Sequence, residues 1–189
     1  MIRKTLTLYT NTSAWLERNL DGWFFQLIAR FIFAAVLFFY FFSAGINKTG
    51  EGLFGIFNPT IGAYAAILPS WMEAVSYDIS QLGFVAHLIV ILGTTAEIVL
   101  PVLIVVGLMT RLAALGMTGF IFVQSIVDIY GHNLSKEDSG AWFDGFSDGL
   151  IFDQRLFWVL CLMLLIVKGA GKFSLDYLLG IEKDSRQQG

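Results

Sequence analysis

Four long apolar blocks separated by polar linkers constrain this chain more than any other feature, because about 20 residues with few charges are enough to cross the hydrocarbon of a bilayer. The first block runs from Trp23 to Ala44, broken only by Gln26, Arg30 and Ser43. The second, Phe84 to Val106, holds His87, Glu97 and Pro101, and the third runs from Leu112 to about Tyr130. The fourth has a shorter uninterrupted run, Leu156 to Val167, bracketed by Arg155 and Lys168. Those two cations can snorkel toward the headgroups, which extends the span to about 154–170. Only 14% of the residues are charged and the mean hydropathy is +0.69. Soluble domains carry roughly a quarter charged residues, so a soluble enzyme, a disordered chain and a coiled coil are excluded. The net charge of -3 comes with no basic cluster, and leaves no electrostatic footprint for nucleic acid. The single cysteine, Cys161, rules out an internal disulfide. The expected fold class is an all-α integral membrane four-helix bundle over residues 23–180, preceded by an amphipathic segment, 1–22, and followed by a polar tail, 181–189.

Orientation follows from the twelve Lys and Arg residues, since cytoplasmic flanks collect them. Arg3, Lys4 and Arg18 precede the first span, Arg111 separates the second and third, and Lys168, Lys172, Lys183 and Arg186 follow the fourth. Lys48, Lys136 and Arg155 fall in the other two loops. Both termini are therefore expected in the cytoplasm, with the two long acidic loops outside. The apolar run that begins at residue 23 is too long for a cleavable signal peptide. Ser13 is read as the cap of a short interfacial helix carrying Trp15, Leu16 and Leu20. Ser70 and Glu73 have the spacing of a capping box, so the first outer loop is expected to be part helical and to fold over the bundle as a lid.

A charge in hydrocarbon costs at least about 2.5 to 3.5 kcal/mol, so each one calls for a partner or a task. Arg30 lies about 10 Å into the first span and Glu97 about 13 Å from the same face of the second, counting roughly 1.5 Å per residue. Equal depth and small neighbours predict an ion pair between them, either a structural clasp or, with Gln26, a site for a quinone carbonyl or an anionic headgroup. A second set is expected at the other face. Gln124, Asp128 and His132 recur every four residues, and His87 and Lys48 fall at comparable height. This outer cluster of His87, Asp128, His132 and Lys48 reads as a solvated rim, a proton relay or quinone-headgroup site or, less simply, a metal set; no metal is assigned. Asp144 to Gly149 lacks the order of a calcium loop and reads as a turn.

Four motifs carry a family resemblance: Ser43-Ala44-Gly45-Ile46-Asn47-Lys48; Gly93 with Glu97 and Pro101; Gly107-Leu108-Met109-Thr110-Arg111; and Lys168-Gly169-Ala170-Gly171-Lys172-Phe173-Ser174-Leu175-Asp176. Together they resemble the DoxX family over about residues 23–180, with Ala170 standing where a proline is usual. The resemblance implies a four-helix protein of a bacterial or archaeal cytoplasmic membrane. It further implies a membrane subunit of a quinone-linked oxidoreductase, with quinone as substrate, no intrinsic cofactor and the redox centre on a partner protein. Arg30 and Glu97 match the family's charged positions, and Gly45 and Lys48 its helix-end motif, without a catalytic role for any of them. The rival expectation is a non-enzymatic anchor, assembly factor or small-molecule carrier, the last needing a homo-oligomer to build a pathway. Acidic outer loops would suit a basic partner or cations.

Overall fold

The computed structural model describes residues 2–20, 23–52 and 54–181, and no strand occurs among them. Four helices are long and apolar enough to cross a membrane: Phe24–Lys48, Phe84–Val106, Thr110–Gly131 and Leu150–Lys168. The first therefore continues one turn past Ala44, and the fourth starts before the charged residues Asp153 and Arg155. Each span packs against its neighbours in chain order, and the fourth closes the ring against the start of the first. The dry centre is made by Phe33, Phe41, Ile104, Met117, Ile121, Leu162 and Leu165. Large apolar side chains such as Phe39, Leu92 and Phe122 face outward, as a lipid-bathed bundle requires. Three π-helical stretches occur in the spans: Phe33–Phe38 interrupts the first, Val127–Gly131 ends the third and Leu150–Gln154 begins the fourth. Such insertions are frequent at functional sites, and the last two adjoin the polar groups described below.

One face of the bundle holds the start of the first span and the end of the fourth, and is called here the termini face; the other is the lid face. At the termini face, the second span ends in a left-handed Gly107, with φ +71. Leu108 N–H donates to the Leu103 carbonyl at 3.0 Å, which closes a Schellman turn. A β-carbon on Gly107 would stand 2.6 Å from Ser174 Cβ, so both conformation and space demand glycine.

At the lid face, the loop between the first two spans carries the short helices Ile61–Ile67 and Pro69–Ala74. Thr60 accepts the Ala63 N–H and starts the first of them. Proline at the first turn starts the second, with Leu68 in the cap position, so the expected Ser70 capping box does not form. Ala63, Tyr64 and Met72 bury against Val90 of the second span, and Ile67 reaches to 3.1 Å of where a β-carbon on Gly93 would lie. The lid thus packs on the stretch of the second span beyond the end of the first. The N-terminal helix, Ile2–Leu20, is mostly exposed and runs through Ser13, which is mid-helix and caps nothing.

Candidate functional site in a membrane-facing cavity

The sequence pairs Arg30 with Glu97; the structure separates them. Arg30 turns toward the termini face, where Nε donates to the Ile104 carbonyl at 3.2 Å and Nη2 to Val105 at 2.5 Å. Its Nη1 donates to Phe173 at 2.5 Å and to Ala170 at 3.3 Å. Two of these acceptors belong to the last turn of the second span, where carbonyls run short of i+4 donors and Ile104 is met only by Gly107 N–H at 3.2 Å, and a cation there also complements the helix dipole. Arg111 does the same for the fourth span, donating to Ile166 at 3.1 Å and Val167 at 2.9 Å. Asp176 completes the arrangement: its carboxylate accepts Met109 N–H at 2.7 Å and Thr110 N–H at 2.9 Å at the start of the third span. It is also close enough to Arg30 to act as countercharge. Gln26 is buried in the same region, beneath Gly171, whose β-carbon would lie 2.9 Å from Gln26 Cβ. The Gly-x-Gly and Ser-Leu-Asp run is therefore a helix-capping device, and Arg30 and Gln26 are its buried side.

Glu97 is paired instead with Lys48, whose Nζ stands 2.5 Å from Oε1 and 2.6 Å from Oε2. The pairing has a local cause. Gly45 and Lys48 share one face of the first span, and a β-carbon on Gly45 would lie 3.1 Å from Glu97 Cβ and 2.6 Å from Ile98 Cγ1. Glycine thus lets the two helices approach until the lysine, one turn later, reaches the carboxylate. Counting depth from the ends of the blocks misses this, because the first span ends level with the interior of the second.

The Lys48 and Glu97 pair forms part of the wall of a cavity of about 500 Å³ between the second and third spans, roofed by Ala66 and Ile67 of the lid. Most of the wall is apolar, from Ile89, Leu92, Leu100, Phe120 and Val123. Gly116 and Gly119 withhold side chains from it, and nothing lies within 4 Å of a β-carbon on Gly119. Its mouth faces the bilayer, where Leu92 and Val123 are each 59% exposed. Gln124, Asp128 and His132 line it as well, as their four-residue spacing predicts. Gln124 Nε2 donates to Tyr40 Oη at 3.4 Å, while its Oε1 is buried with no donor.

Two members of the expected outer cluster are otherwise engaged. His87 lies outside this cavity wall; its Nδ1 is 2.7 Å from Tyr64 Oη and fastens the lid to the second span. Burial pushes the Tyr64 phenol above its usual range, so it keeps the proton it can donate there. Asp128 is ion-paired with Arg155 of the fourth span, which also donates to Ser125 Oγ at 2.8 Å. No group of three or more His, Cys, Asp or Glu suited to a metal occurs among the described residues. The partnership of Asp128 with Arg155 could not be read from the sequence, because each residue sits at a π-helical stretch that shifts the helical phase.

A closed ring of apolar helices, with ion pairs inside the spans and a cavity that opens sideways, defines a multi-pass membrane protein of the all-helical class. Residues 25–127, more than half of the chain, match the DoxX family model, and the chain belongs to the DoxX family. No curated protein and no solved structure matches it.

Proposed function

We propose that this DoxX protein is a membrane subunit of a quinone-linked oxidoreductase in a bacterial or archaeal cytoplasmic membrane, and that the cavity between its second and third spans holds the head of the quinone. The observation that carries the reading is the cavity itself: an apolar chamber of about 500 Å³, open to lipid, with an ammonium and carboxylate pair in its wall. Its volume lies within the roughly 300 to 1,000 Å³ of small-molecule sites, and its few polar groups suit an apolar ring with polar ends. A ligand dissolved in the bilayer enters without crossing water. Lys48 can donate to a ring oxygen and Glu97 can accept from one, so the pair can orient the head and exchange protons with it. Electrons then pass to or from a redox centre on a partner protein, which this subunit anchors.

The site differs from the one expected from sequence, since Glu97 and Lys48 belong to it while Arg30 and Gln26 lie at the termini face. Photo-crosslinking with an azido-quinone in native membranes tests the proposal. Label is expected in peptides of the second and third spans, and Gly119→Leu is expected to abolish it by filling space that meets no other atom. Label elsewhere, or undiminished label in the leucine variant, would overturn the assignment and favour an anchoring or assembly role.

A further inference from the structure

We infer that the N-terminal helix, Ile2–Leu20, lies along the surface of the leaflet at the termini face and binds anionic phospholipid there, whether or not the cavity holds a quinone. At about 3.6 residues per turn, its 19 residues divide cleanly into two halves. Leu6, Leu8, Tyr9, Trp15, Leu16 and Leu20 fall on one half of the circumference, and Arg3, Lys4, Glu17 and Arg18 on the other. The bundle leaves the apolar half uncovered, since all of its large side chains except Leu20 are exposed. Thr12 and Asn19 fall in that half too, and each closes a hydrogen bond on the helix itself. Thr12 Oγ1 donates to the Leu8 carbonyl at 2.9 Å and Asn19 Nδ2 to the Trp15 carbonyl at 2.7 Å. A face turned toward acyl chains needs its polar groups settled in this way.

Three observations name a lipid surface as the cover. The apolar half is wider than the seam of a coiled coil, so a second copy docked on Leu6, Tyr9, Ser13, Leu16 and Leu20 would leave Leu8 and Trp15 outside the contact. The helix also ends where the hydrocarbon begins. Trp23 Nε1 donates to the Asn19 carbonyl at 2.9 Å, and its ring packs edge-on at Phe24 and Phe173, with centroids 5.9 and 6.4 Å apart. A tryptophan at the start of a span sits at headgroup level, so this contact holds the helix end in the interface. Charge supplies the third observation: the polar half carries three cations against one carboxylate, which suits a negatively charged leaflet.

The test uses the full chain, with Cys161→Ser to clear the background, in vesicles of phosphatidylcholine with or without phosphatidylglycerol. Nitroxide labels are placed one at a time through Leu6→Cys, Leu16→Cys, Thr7→Cys and Asn11→Cys. Electron paramagnetic resonance then reads their collisions with oxygen, which concentrates in hydrocarbon, and with a nickel chelate, which stays in water. With the anionic lipid present, the labels at positions 6 and 16 are expected to favour oxygen several-fold more than those at 7 and 11. The contrast is expected to shrink in phosphatidylcholine alone, and to shrink equally when Arg3→Gln, Lys4→Gln and Arg18→Gln are combined. Water-like collisions at all four positions would overturn the surface reading, and spin–spin broadening at positions 6 and 16 would put a second copy in place of the lipid. A contrast as large in phosphatidylcholine alone would overturn the preference for anionic headgroups.

Discussion

The two faces of the bundle solve the same problem differently. At the termini face, charged side chains end on backbone: Arg30 and Arg111 on carbonyls, Asp176 on amides. In the half toward the lid, charged side chains end on each other, Lys48 on Glu97 and Arg155 on Asp128. Backbone acceptors cannot be exchanged for anything else, so the first arrangement fixes the helices. Side-chain partners can be neutralised, competed for or protonated, so the second arrangement suits a place where a ligand comes and goes.

Substitutions can break that comparison. The largest effect is expected from Arg30→Ala, which removes four hydrogen bonds to carbonyls at the end of the second span and beyond the fourth, at about 1 to 3 kcal/mol for each acceptor left buried without another donor. Thermal unfolding in detergent should show a collapse of yield or stability that Arg30→Lys does not repair, because an ammonium cannot span the acceptors of the guanidinium fork. Next comes Glu97→Leu, at about 3 to 5 kcal/mol for the stranded Lys48 ammonium. The decisive variant is the double one, Lys48→Met with Glu97→Leu, which should recover most of that stability while quinone labelling stays lost. If the double variant is no better than the single, the pair is as irreplaceable as the clasp and the comparison fails.

Smaller effects sharpen it at the lid. Tyr64→Phe removes the contact with His87 and should cost about 0.5 to 1.5 kcal/mol, with amide exchange of the helix Ile61–Ile67 accelerated and the four spans unaffected. The smallest change is expected at Asp78. Side-chain hydrogen bonds from Gln81 and Ser80, with the Ser80 N–H, hold its carboxyl below the usual 3.8. A depressed pKa means that the folded form binds this proton less readily than the unfolded form. The cap on the turn Ile79–Gln81 is therefore fully present above about pH 4 and weakens only as pH falls through the depressed value. Protection of the lid amides, relative to intrinsic exchange, should be flat from neutral pH down to that point and fall below it in the wild type, whereas in Asp78→Ala it should already be lowered at neutral pH and show no such step.

The sequence showed the spans because hydropathy over about 20 residues is a property of the chain alone. It hid the true start of the fourth span, since Asp153 and Arg155 look like the end of a helix. In the structure Asp153 accepts the Gly149 N–H at 2.9 Å and Arg155 is neutralised by Asp128, so both are tolerated. The cavity face of the third span was legible from the spacing of Gln124, Asp128 and His132. The partner of Glu97 was not, because depth along one helix says nothing about where a neighbouring helix ends. The clue lay in Gly45 and Lys48, where a small residue marks the close approach and the next turn carries the cation.

The clasp at Arg30 also sets an order of biosynthesis. The arginine is made 75 residues before the Val105 carbonyl and 143 before that of Phe173. At about 5 to 20 residues per second, roughly 7 to 29 s of translation separate the charge from its last acceptor. Until the second span is made the guanidinium has none of its acceptors, and until Ala170 and Phe173 are made it has only Ile104 and Val105, so water, headgroups or the insertion machinery must hold the rest of it. The bundle locks only when the segment after the fourth span arrives, so a chain that stops at Lys168 should be inserted yet remain unlatched, and be the form that membrane proteases remove first.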